Sequence, residues 1–139
     1  MGCSLASSLV ALKKTMKRAH NPDFLFVEPS EMVVTRELRD VAAMARRDIA
    51  FELGPFITLV NGPEFESIWQ ERQALLTGQV LNADVVAISQ FDRVDDRLLS
   101  AIQRSLASCA DGLLPLSIHR NVGMDELLPR IVGHHAPGG

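Results

Sequence analysis

The residues with the most chemistry to offer stand in one short stretch. Residues 85–94 read VVAISQFDRV, an apolar run that breaks into a polar turn ending near Asp92. A carboxylate held at a strand tip can accept two hydrogen bonds from the amidine edge of guanine, and so distinguishes guanine from adenine. An amide side chain just ahead of it can serve the ring nitrogens, and a long aliphatic stem can cover the base. Here those positions hold Ser89 and Gln90. Ser89 is a poor substitute for an amide, while Gln90 lacks a lysine's charge but has a stem that can lie over a ring. The competing reading is a turn aspartate bonded to its own backbone.

Three other places carry reactive types. Glu28, in FLFVEPSE, can orient water or magnesium near a phosphate if it ends a strand. Alternatively it caps a sheet edge, with Ser30 or Glu31 starting a helix. Ser117, in LLPLSIHRNVGMDELL, is a small polar residue at a strand tip and can offer backbone N–H groups to a base carbonyl; a plain strand-turn-helix is the other reading. Cys3 opens a helix, where the dipole can lower a thiol pKa and favour a soft metal, or it is an incidental cysteine. His134-His135 is a weak metal-binding pair, and His20 and His119 have no partner at ligand or triad spacing.

These residues need elements to position them. Leu5, Leu9, Leu12 and Met16 recur at helical spacing, with Lys13, Lys14, Lys17 and Arg18 on a solvated basic back. Asn21-Pro22 stops that helix. An apolar strand is expected at 24–28, a helix at 35–47 with Leu38, Val41 and Ala45 inward, and a second strand at 56–61. A helix at 64–77 follows, built on Phe65, Ile68, Trp69, Leu75 and Leu76. Then come a strand at 84–89 and a helix capped by Asp95 or Asp96, with Leu98, Leu99, Ile102 and Leu106 inward. A strand at 113–118 and a helix at 123–132 complete the pattern, and the tail 134–139 is expected to fray. Strands alternating with helices imply an α/β three-layer sandwich on a mainly parallel sheet, taken as a single domain over 1–133. Ligands in such sheets sit at the carboxyl ends of the strands, which is where Glu28, Ser89 and Ser117 fall.

Composition narrows the partners. The chain has 139 residues, 47% hydrophobic and 22% charged, with a formal net charge of −3, which argues against a nucleic-acid binder relying on bulk positive charge. Two cysteines are too few for a disulfide framework. No signal peptide is legible, and no apolar run approaches the ~18 residues of a membrane span. The Met-Gly start has Ala6 where a myristoylation motif wants Ser or Thr. We expect a cytoplasmic protein with neither nucleic acid nor membrane as partner. No GxxxxGK[ST] stretch occurs, so no nest of backbone N–H groups with its lysine grips the β and γ phosphates of a nucleotide.

In order, GCSLA, FVEPSE, TLVNG, QVLNADVVAISQFD and LSIHRNVGMDELL resemble the CobW family of the CobW/HypB/UreG metallochaperone GTPases. The family pattern runs Gly-Cys-x-Cys-Cys, Glu-Thr-Ser-Gly, Val-Asp, Gln…Ala-Asp leading to Asn-Lys-x-Asp, and a final strand-turn-helix. The likeness spans Gly2 to about Val132. Of the cysteine motif, Gly2 and Cys3 remain, with Leu5 and Ala6 at the later cysteine positions. Glu28 and Ser30 remain of the second motif, with Pro29 and Glu31 between and after them. Val-Asp has become Val60-Asn61, and the guanine loop keeps Asp92 alone.

The resemblance implies a truncated P-loop-NTPase-like (G-domain) topology and a degenerate protein related to GTP-dependent metal or corrinoid (cobalamin) cofactor handling. It implies Asp92, Gln90, Ser89, Ser117 and Glu28 as nucleotide-side residues and Cys3 as a metal ligand, with GTP, magnesium, zinc or cobalt as the associated groups. No catalytic residue is carried over, and the chain is expected not to hydrolyse GTP unaided. The family's phosphate-binding loop and its strand, central in the sheet, are missing, which leaves the apolar 24–28 and 56–61 edges unpaired or brought together. Exposed edges of that kind invite another chain. The sequence is then a piece of a longer GTPase, half of a two-chain assembly, or a smaller closed domain. A non-catalytic interaction module is the alternative function. Its partner is then a second copy, a P-loop-bearing chain, or a corrinoid or metalloprotein.

Overall fold

The computed structural model describes residues 2–48 and 50–133, with side chains from Ser7 onward. The chain groups into two units, Met1–Leu53 and Gly54–Gly139. The expected tail 134–139 and its histidines lie outside the described residues.

The first unit is helical. Helices α1 (Gly2–His20) and α2 (Thr35–Ala45) pack together. α2 buries Thr35, Val41, Ala42 and Ala45, close to the expected inner line. In α1 the half-buried residues include Leu9, Val10, Lys13 and Met16, whereas Leu12 is exposed. The basic back is therefore only partly solvated. Lys13 Nζ lies 3.5 Å from the centroid of the Phe51 ring, and Lys17 Nζ donates to the Ala50 carbonyl at 3.3 Å. Loss of hydration lowers the Lys13 pKa, while the ring face offers the ammonium a partial substitute for water.

The expected strand at 24–28 does not form. Phe26 is 73% exposed, Phe24, Leu25 and Val27 are exposed too, and no residue of the run belongs to a ladder. Apolar character makes a segment fit to be a buried strand, but the strand exists only where a neighbouring backbone completes the ladder.

The second unit is α/β: β1 (Ile57–Asn61), α3 (Phe65–Leu81), β2 (Val85–Ser89), α4 (Asp96–Leu106), β3 (Leu114–Pro115) and α5 (Met124–Val132). The sheet runs β1-β2-β3, all parallel, with Ile57 opposite Val85, Asn61 opposite Ser89, and Ala87 opposite Leu114. Strands in sequential order joined by right-handed crossovers put both connecting helices on one face. That face is built from Val60, Val86 and Ile88 against Phe65, Leu76, Val80, Ile102 and Leu106. α5 covers the other, packing Leu127, Met124 and Ile131 on Val85, Ala87, Leu114 and Leu116. β2, covered on both sides, is apolar at every position but its last.

Local chemistry sets the boundaries. Asp95 caps α4, its Oδ1 accepting from the Leu98 N–H at 2.7 Å. α3 outruns its expected end because Val80 buries another turn, and Asn82 Nδ2 donates to the Gly78 carbonyl in the last turn at 3.0 Å. Its backbone breaks at Arg72 (φ −137°, ψ 34°). β3 is shorter than the expected 113–118. Pro115 has no N–H to give a ladder, and Ser117 turns to bridge Val122.

Candidate functional site

β2 and β3 end side by side, and their loops build one polar cluster. Gln90 takes the left-handed conformation (φ 53°, ψ 40°), which turns the chain sharply off β2. Phe91 N–H then donates to the Leu116 carbonyl at 3.1 Å, tying this turn to the end of β3. A single 3-10 turn, Phe91–Arg93, presents Asp92. On the β3 side, Ser117 and Val122 exchange both backbone hydrogen bonds, at 3.0 and 2.9 Å, closing a small loop over Ile118–Asn121.

The two loops meet through side chains. Ser117 Oγ donates to Asp92 Oδ1 at 2.5 Å and accepts from the Arg120 N–H at 3.2 Å. Ser117 is 1% exposed, whereas Asp92 lies open to solvent. The pair is thus a buried hydroxyl steering an exposed carboxylate. Because each carboxylate oxygen has two acceptor sites, Asp92 can still take hydrogen bonds from two ligand N–H groups.

The hydrogen bond from Ser117 holds the Asp92 carboxyl below its ordinary value of 3.8. Its own backbone N–H and the fields of His119 and Arg120 add to this, and partial loss of hydration opposes it. The folded value being depressed, the stability contributed is present above 3.8 and lost as pH falls through the folded value. We expect the Asp92 carboxyl carbon, followed by NMR, to titrate with a midpoint below 3.8, and Ser117→Ala to move that midpoint upward.

The other expected residues are engaged differently. Ser89 Oγ donates to the Val60 carbonyl at 3.2 Å, so it ties β2 to β1. Gln90 Oε1 accepts from Arg93 Nη1 at 2.8 Å, so its stem is directed along the turn. Asn61, at the end of β1, serves the start of α3: its Oδ1 accepts from the Glu64 N–H at 3.4 Å and its Nδ2 donates to Glu64 Oε2 at 3.1 Å. Glu28 is an exposed residue of the first unit. Cys3 stands in the first turn of α1, and its side chain lies outside the described part of the structure. Among the described residues no group of three or more His, Cys, Asp or Glu side chains is placed to hold a metal ion. No described helix is long and apolar enough to cross a membrane.

Arg120 and His119 are the members of the cluster that the sequence reading missed. The signal was their position, three and two residues past Ser117. Gly123 is the other. At φ +79° it closes the loop into α5, and a Cβ there would stand 2.0 Å from the Pro115 carbonyl oxygen. A cleft of about 410 Å³ opens at the opposite, amino ends of the strands, between Asp84, Cys109, Asp111 and Arg130, and none of the expected site residues lines it.

Comparisons of the chain with protein-family models, with curated proteins and with solved structures found no match.

Proposed function

We propose that this chain is a degenerate CobW-like domain with a truncated P-loop-type topology. On this reading it descends from GTP-dependent metal or corrinoid cofactor handling, keeps a guanine-reading rim, and does not hydrolyse GTP unaided. The observation that carries the reading is the hydrogen bond between Asp92 and Ser117, residues 25 apart in sequence that meet at the carboxyl ends of adjacent parallel strands. Two positions singled out for the same base are thereby brought to one spot, with the carboxylate exposed and ionised at neutral pH. The sequence encodes no Gly-rich Lys-Ser/Thr loop, so the triphosphate adds little to binding.

Two-dimensional NMR of the labelled chain tests this. Guanosine is expected to shift the amides of Asp92, Ser117 and Arg120 with a dissociation constant in the millimolar range, about −4 kcal/mol. Adenosine should leave them in place, and GTP should bind within about threefold of guanosine because no nest holds its phosphates. Equal responses to adenosine, or micromolar binding of GTP, would refute the assignment.

A second reading, a non-catalytic module that self-associates or pairs with another chain, is favoured by a different observation. β1 ends the sheet, and among the described residues no strand lies beyond it. Light scattering that finds a strict monomer removes this reading.

A further inference from the structure

We infer that the open edge of β1 pairs with β1 of a second copy, antiparallel about a two-fold axis at Leu59, merging two sheets into one. This rests on the self-association reading and names its partner and register. The backbone fixes which groups face outward. The Phe56 carbonyl accepts from Val85 N–H at 3.1 Å, and Gly62 N–H donates to the Ser89 carbonyl at 3.2 Å, so the even-numbered groups of this strand face β2. The N–H and C=O of Ile57, Leu59 and Asn61 therefore point to the open side. Natural edge strands are usually blunted by a charge, a proline or a bulge, and ITLVN carries neither charge nor proline.

The register follows from the strand's own centre. A two-fold at Leu59 sets Leu59 opposite Leu59 of the second copy and Ile57 opposite Asn61. All of these carry outward bonding groups, so each pair exchanges both N–H···O bonds. An axis normal to the sheet also keeps both copies of α5 on one side. Strand alternation puts Leu59 on that side with Ile57, which packs on the α5 core, yet Leu59 is 57% exposed. On α5, Leu128 and Val132 are one turn apart and 49% and 55% exposed. Leu59 beside the strand edge, and Leu128 and Val132 on α5, are thus apolar side chains left open on the same side of the sheet. Two paired strand edges with Leu59 against its copy bury less than the roughly 1,200–2,000 Å² of a standard interface, so the dimer is a weak one.

Sedimentation velocity on the full chain across the micromolar range tests the pairing, with far-UV circular dichroism to show that each variant is folded. The wild-type chain should dimerise, and Leu59→Lys and Leu59→Glu should each weaken the dimer about tenfold or more by setting like charges opposite each other. Mixing those two variants should restore a heterodimer, since the axis puts position 59 against itself. The wild-type Leu59 amide should exchange more slowly with solvent as concentration rises. A monomeric wild type overturns both this interface and self-association. A dimer indifferent to Leu59→Lys, or one dissolved by Phe26→Asp instead, overturns the interface while leaving self-association standing. Failure of the mixed variants to pair overturns the two-fold. None of these outcomes alters the guanosine experiment, which reads the Asp92–Ser117 cluster.

Discussion

Gly123→Ala is expected to destabilise the second unit by about 3 kcal/mol or more, lowering its thermal midpoint by roughly 12 °C or more. Two costs add. An L-residue at φ +79° pays the left-handed penalty, of order 1–2 kcal/mol. The new Cβ would also sit 2.0 Å from the Pro115 carbonyl oxygen, a contact that only backbone movement relieves. That movement falls on the turn that joins the Ser117–Val122 bridge to α5, so the Asp92–Ser117 hydrogen bond should loosen with it. Thermal unfolding by circular dichroism measures the first effect, and the Asp92 titration midpoint, rising toward 3.8, reports the second. Gly112→Ala is the control. A Cβ there meets nothing within 4 Å, and its cost should stay within about 0.5 kcal/mol. A Gly123→Ala protein as stable as that control would mean the turn is not held as described.

Phe65→Ala is the other large effect, with an expected loss of about 3–5 kcal/mol. Phe65 is 1% exposed and sits in the core beside Val60 and Ile88, stacked on Trp69 at 5.6 Å between centroids. Truncation removes apolar area from a close-packed layer and leaves a cavity, because α3 is anchored at its far end by Leu76 and Val80 and cannot follow. Trp69 is the chain's single tryptophan, so urea unfolding followed by its fluorescence reads this helix directly. Phe26→Ala, at a side chain 73% exposed, should cost under about 0.5 kcal/mol. Equal losses from the two substitutions would contradict the burial that separates them.

The contrast between these phenylalanines shows where sequence reading works and where it stops. Phe26 lies in the apolar run 24–27, whereas Phe65 stands between Glu64 and Glu66. Phe65 opens a helix, whose backbone bonds are internal and whose apolar residues need only a surface to cover. α3, α4 and α5 were legible for that reason, and β2 was legible because an unbroken apolar run suits a strand covered on both faces. Phe26 lies in a run that can be a strand only if another strand lies beside it. Composition carries no information about whether that neighbour exists, so the expected strand at 24–28 did not appear. β3 contracted on the same principle: Pro115 has no N–H, and Ser117 found a nearer partner in Val122.

The candidate site divides in the same way. Reading along the chain is enough to put Asp92 and Ser117 at the tips of two strands running the same way, because alternating strands and helices dictate a parallel sheet. It also shows that residues 1–139 contain no GxxxxGK[ST] stretch. That β2 and β3 are neighbours, and hence that the Ser117 hydroxyl reaches the Asp92 carboxylate and depresses its pKa, emerges with the folded sheet. It also decided that Ser89 and Gln90 spend their polar groups on Val60 and Arg93, and that β1 is left as an edge. Helical periodicity and turn chemistry are properties of neighbouring residues and can be read along the chain. Hydrogen bonds between residues 25 apart depend on which strands lie side by side, and that is settled only when the sheet is assembled.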